Sequence, residues 1–172
     1  MALRNILTDE DPGLYKKCRE VMDFNPRLHQ LLDDMAETLK HADGVGLAAP
    51  QVGVLRRAVL VLETNVGEGE EPYLIELINP VIIESDGEQH EAEGCLSVPG
   101  QYGIVTRPAT VKVRAQDRFG SFFEVSGEGL TARCFCHELD HLDGIMFTSK
   151  CERMLTEEEL QAVQGGEEEQ ET

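Results

Sequence analysis

The clearest hydrophobic pattern in the chain lies in residues 25–42. Asn25 can act as an N-cap and Pro26 suits the first helical position, and Leu28, Leu31, Leu32, Met35 and Leu39 then recur at helical spacing. The pattern predicts an amphipathic helix lying on a core. The stretch from Gly44 to Gln51 (GVGLAAPQ) is apolar, small and without period. Arg57 to Glu63 is an aliphatic run that predicts a buried strand, and residues 66–71 form a polar loop. Tyr73 to Glu84 carries Ile78 and Val81-Ile82-Ile83 around Asn79-Pro80, which predicts two strand pieces broken at the proline. In Val105 to Asp117, Val111, Val113 and Ala115 alternate with Lys112 and Arg114, as in a half-buried strand. A hairpin turn is expected at Arg118–Ser121 and a returning strand at Phe122–Val125. Gly129 to Leu142 predicts a second helix ending at Asp143-Gly144. Thr156 and Glu159 form a capping-box signal for a short last helix, and the closing Gly-Gly-Glu-Glu-Glu predicts disorder.

At 172 residues, with no internal repeat and no long linker, the chain predicts one domain. Strand pairs joined by short turns, with two helices, make it α+β and mostly antiparallel. Only 5% of residues are aromatic and none is Trp, so aliphatic side chains must fill the core. A net charge of -18 argues against binding to DNA or any bare phosphate backbone by charge alone. Residues 152–172 hold eight Glu against one Arg, so part of that charge sits in an acidic tail. No apolar run is long enough to span a membrane, and no signal peptide is read at the N-terminus. Five cysteines, an odd number without regular spacing, fit a reducing cytoplasm where thiols are buried, catalytic or metal-bound. Nothing in the acidic surface argues for self-association, so a monomer is expected.

The chemistry concentrates in His137-Glu138-Leu139-Asp140-His141. Four residues turn a helix by about 400°, so both imidazoles project from nearly one face. They can share one ion, with Glu138 near its water. Two histidines and a glutamate also arise by chance on a solvated helix face. A catalytic site needs a third protein ligand. Glu152 and Glu157 to Glu159 are acidic candidates within a charged tail. Cys95, in Glu93-Gly-Cys-Leu-Ser97, follows a glycine, but a buried free thiol has the same signature. Composition leaves that choice open. The remaining groups read blandly: Asp33-Asp34 and the Glu runs as solvated faces, His29, His41 and His90 as surface, Cys18 and Cys151 as unligated thiols, and Asp140 as an indirect support of a ligand.

Gly44–Gln51, Glu93–Ser97 and His137–His141, in this order and at these separations, resemble the three signature motifs of the peptide deformylases, the bacterial-type polypeptide deformylase family. The resemblance runs over residues 3 to 150. It implies antiparallel sheets packed around a central helix that carries the HExxH metal motif, with residues 1–150 as the catalytic domain and 151–172 as a short helix and disordered acidic tail. It implies removal of the N-formyl group from the N-terminal methionine of newly made polypeptides, releasing formate, by attack of a metal-bound water. Cys95, His137 and His141 would hold the metal, with water as fourth ligand. Glu138 would take and return the proton. The Gln51 side-chain amide and the Leu96 backbone N–H would stabilise the oxyanion, and Val45 and Gly46 would lie beside the substrate backbone. Fe²⁺ is the family's metal; Zn²⁺, Ni²⁺ or Co²⁺ also suit this donor set. Some bacterial members dock on the ribosome through a long basic C-terminal helix, so the resemblance implies a transient ribosome contact, though not by that docking mode in a chain with a short acidic tail.

Gly44, Gly46 and Ala48 could shape a pocket that admits H–C=O and rejects larger acyl groups. Three positions depart from the family pattern. Cys136 stands where glutamine is usual and is expected to pack rather than ligate. Gln101-Tyr102 stand where many members carry an arginine. The tail is short and acidic rather than long and basic. Two other readings use the same residues: a metal amidase acting on another acyl group, and a peptide-binding relic without catalysis.

Overall fold

The computed structural model describes residues 2–162. Helix α1 spans Pro26–Ala42, and the Asn25 side chain accepts from the Leu28 N–H, as the cap signal predicts. The expected leucine stripe faces inward, and Asp43 ends the helix in the left-handed conformation. The unpatterned glycine-rich segment becomes a short strand, β1 (Gly46–Ala48), and one turn of 3₁₀ helix over Ala49–Val52. Both are almost wholly buried, which explains the missing period: neither face meets water.

Strands β1, β2 (Ala58–Glu63), β3 (Tyr73–Asp86), β6 (Thr110–Gln116) and β7 (Phe122–Glu128) form a five-stranded antiparallel sheet in the order β1-β2-β3-β6-β7. A second antiparallel sheet holds β4 (Gln89–Cys95), β5 (Val98–Arg107) and β8 (Arg153–Met154) in the order β4-β5-β8. Helix α2 (Leu130–Leu142) packs on β1, β2, β6 and β7 and touches β5, so it sits between the sheets. Its apolar side and the large sheet share one core; α1 and the other face of β1 and β2 form a second; Leu14, Val98, Val105, Met146 and Phe147 form a third beside the small sheet. The expected antiparallel α+β architecture around a central motif-bearing helix is the one observed.

Four local expectations are corrected. Asn79-Pro80 does not split its strand: β3 runs through, with register shifts between Ile78 and Val81 and between Ile82 and Glu84. A bulge accommodates the proline's missing donor. Asn79, with φ 52, holds the bulge by bonding the Val21 backbone and Gln116. Val105–Asp117 is two strands, because Pro108 ends β5 and the chain changes sheets there. Strand β4 and the start of β5 were not anticipated, since exposed polar residues on both blur their alternation. Asp34 is not solvated: it is 5% exposed and accepts from the Ala2 N–H, Arg4 and Gln30, pinning the N-terminal segment to α1. The capping box at Thr156 and Glu159 forms, with residues 157–162 helical, while the glycine-glutamate tail lies outside the described residues.

Candidate active site

Helix α2 presents His137 and His141 one turn apart, their Nε2 atoms 3.1 Å from each other. Strand β4 ends at Cys95, whose Sγ lies 3.3 Å from the His141 Nε2. All three donor atoms fall within 4.8 Å of one another. A tetrahedral ion held at ordinary bond lengths keeps two imidazole nitrogens about 3.4 Å apart and a thiolate sulfur about 3.6 Å from each. The donor set therefore fits a single divalent cation, and its one sulfur and two nitrogens suit Fe²⁺ and Zn²⁺ alike. None of the acidic alternatives joins this donor group, and two of them are engaged elsewhere: Glu152 with His90 and Thr106, Glu159 with Arg153.

A buried charged network stands behind the two histidines. His137 Nδ1–H donates to Glu93 Oε2 at 2.8 Å, which fixes the tautomer that leaves Nε2 free to ligate. Glu93 also accepts from Arg107 at 2.7 and 3.1 Å and from Arg133 Nη1 at 2.8 Å. Asp140 holds the far side of Arg107 and pairs with Lys150, so its support of His137 is relayed through Arg107 and Glu93. Burial opposes a charge on Glu93, yet the bonds from His137 and Arg107 outweigh it and hold the carboxyl down at about 2. Burial likewise opposes protonation of His137, but Cys95 and Glu93 outweigh it and raise this imidazole to about 10. A proton and a cation thus compete for its nitrogen. Burial and the neighbouring His137 keep His141 well below its ordinary value and neutral.

Glu93, Arg107 and Arg133 had no role in the sequence reading. For Glu93 the one available signal was its place two residues from Cys95, since residues i and i+2 of a strand share a face, but β4 was not read as a strand. The arginines come from other elements, with no local signal.

Glu138 is 4% exposed, and its Oε2 has no hydrogen-bond partner among the described residues. Burial pushes its carboxyl up to about 7. Gln51 is fixed by its own amide: Oε1 accepts from the Ala48 N–H at 2.9 Å and Nε2 donates to Ser97 Oγ at 3.0 Å, with Cys95 Sγ 3.6 Å away. These residues open into a cleft of about 460 Å³ lined also by Gly44, Val45, Gly46, Leu96, Leu130 and Arg133. Ala48 is not part of the wall; its side chain is in the core, correcting the expected trio of small residues. Gln101 and Tyr102 stand at the rim, where the Tyr102 ring covers Gly94 so closely that a Cβ there would fall 2.4 Å from it. Cys134 and Cys136 are buried core thiols pushed up by burial, and neither joins the donor group, although Cys134 also lines the cleft. His41 and His90 are exposed, whereas His29 is half-buried and donates to the Arg118 carbonyl.

The polypeptide deformylase family model matches residues 3–157. The chain belongs to the polypeptide deformylase family. It is 54% identical to the peptide deformylase of Caldicellulosiruptor bescii over 94% of this chain and 93% of that one. Its identity to the peptide deformylase of Alkaliphilus metalliredigens is 55%, over 87% of this chain and 97% of that one. Among solved structures it superposes on a peptide deformylase from Legionella pneumophila with TM-score 0.80 and 40% identity, covering 96% and 98% of the two chains. A Met-Ala-Ser-bound class I type b peptide deformylase from Acinetobacter baumannii gives TM-score 0.81 at 32% identity, over 87% and 100%. Members of this family are metal-dependent hydrolases that remove the N-formyl group from the N-terminal methionine of newly made polypeptides, and this chain is such an enzyme. No described helix is long and apolar enough to cross a membrane.

Proposed function

We propose that Cys95, His137 and His141 hold one divalent ion, Fe²⁺ in the cell, and that Glu138, Gln51 and Leu96 carry the hydrolysis of the formyl group. The convergence of one thiol and two imidazole nitrogens beside a buried carboxylate that has no partner on Oε2 among the described residues supports this reading most. The bound cation would polarise the formyl carbonyl and acidify water. Glu138, near neutrality in its buried setting, accepts the proton of the attacking water and passes it to the leaving amine nitrogen. The Gln51 Nε2–H and Leu96 N–H donate to the oxygen that becomes negative, and Gln51 is pre-set for this by Ala48 and Ser97. Val45 and Gly46 flank the peptide backbone of the substrate.

We assign residues 1–150 as the catalytic unit, with 151–172 as its short helix and acidic tail. The enzyme is expected to work as a cytoplasmic monomer and to meet formylated chains transiently at the ribosome, without docking through a basic C-terminal helix. Anaerobically purified protein, loaded with Fe²⁺ or Ni²⁺, is expected to release formate from formyl-Met peptides and to leave acetyl-Met peptides intact. Acetyl turnover equal to formyl turnover would instead favour a broader amidase. Metal analysis per unit of activity decides the ion.

A further inference from the structure

Arg133 sits one helical turn before His137 on α2, 3% exposed, and it faces two ways. Its Nη1 donates to Glu93 Oε1 at 2.8 Å, its Nη2 to the Val105 carbonyl at 2.8 Å, and its Nε to Gln89 Oε1 at 3.4 Å. It is also part of the wall of the active-site cleft. Arg107 binds both Glu93 oxygens and has Asp140 as a second anion, whereas Glu93 is the one carboxylate paired with Arg133 among the described residues.

Glu93 therefore has each oxygen assigned. Oε2 is shared by His137 and Arg107, and Oε1 by Arg107 and Arg133. The last side-chain torsion of a glutamate is broad, and Arg107 already spans both oxygens from β5. Arg133 adds the one bond to Glu93 that comes from α2, the helix bearing His137, and so ties the acceptor of His137 Nδ1 to the element that presents the imidazole.

We propose that Arg133 is a positioning residue for the metal site: it locks the Glu93 carboxylate that orients His137, and it does so from the wall of the substrate cleft. This rests on reading His137 as a ligand. The geometry ties the cleft wall and the ligand shell into one rigid unit through a single guanidinium. Its planar fork serves Glu93, Val105 and Gln89 together, which a lysine cannot do.

The test is metal affinity, measured by competition with a chelator, for wild type, Arg133→Met, Arg133→Lys, Glu93→Gln and the double variant Arg133→Met/Glu93→Gln. The metal dissociation constant is expected to rise about 10–100-fold in Arg133→Met, the range for lost ligand-orienting partners. Arg133→Lys should recover part of that loss. In the Glu93→Gln background, Arg133→Met should add less than about twofold, because its effect passes through Glu93. Equal effects of Arg133→Met in both backgrounds would overturn the proposal and make Arg133 a brace between α2 and β5. An unchanged affinity in Arg133→Met would overturn it as well. If the wild type itself bound no metal, the ligand assignment would fail instead, which is a distinguishable result. Circular dichroism and melting of each variant separate misfolding from ligand misplacement, and Arg133→Lys keeps the test decisive if Arg133→Met does not fold.

Discussion

Among the described residues, Glu138 keeps a buried carboxylate oxygen without a partner, a costly arrangement for a side chain that serves only packing. The role proposed for Glu138 accounts for it, because a general base needs an oxygen free to accept a proton. Glu138→Gln preserves shape and removes that capacity. Its kcat for formyl-Met peptides is expected to fall about 10²–10⁴-fold while bound metal stays near wild type. A kcat within tenfold of wild type would remove Glu138 from the mechanism. The same residue shows what one-dimensional reading reaches. Two histidines four apart share a helix face, and the glutamate beside the first turns about 100° from it, near enough to reach water at the same ion, so three members of the site follow from helical geometry. Cys95 has no such neighbour. A thiol at a strand end is joined to its partners by topology alone, and only the resemblance singled it out. Gln51 is similar: the anchoring through Ala48 and Ser97 exists only once the 3₁₀ turn has formed.

At the scale of elements, β1 meets α2 at Gly46, whose backbone lies against the Glu138 side chain. A Cβ at this position would fall 2.5 Å from Glu138 Oε1, and that carboxylate is buried with little room to move. Gly46→Ala is therefore expected to displace the carboxylate and lower kcat/KM about 100-fold, with the fold retained by circular dichroism. Activity within threefold of wild type would show that Glu138 yields freely. Both helices and the hairpin β6–β7 were legible, since each repeats its pattern over several turns or residues. The small sheet was not. Its strands mix exposed His90 and Glu91 with buried Glu93, and a buried glutamate reads as a surface residue until its two arginines are seen. The bulge at Asn79-Pro80 misled for a related reason: side-chain bonds to Val21 and Gln116 replace what the proline removes, and both partners are distant in sequence.

For the whole molecule, acid stability should depend on Glu93. Its folded value, about 2, lies below the ordinary 4.5, so folding is favoured by the ionised form. That contribution, about 3 kcal/mol, is fully present above pH 4.5 and is lost as pH falls from there through about 2. Urea melts of the chelated protein from pH 6 to pH 3 are expected to show a steep decline. Glu93→Gln should be less stable at pH 6 yet show a shallower slope, and an unaltered slope would contradict the role assigned to the network. The pairing of β8 with β5 bears on the order in which the enzyme comes into being. Arg153 and Met154 complete the sheet that carries Cys95, and His137 and His141 precede them only shortly in the chain. During translation, Cys95 waits through the making of β5, β6, β7 and α2 before its sheet can close. An enzyme that removes the formyl group from the first residue of other chains thus completes the sheet behind its own site only after α2 has emerged.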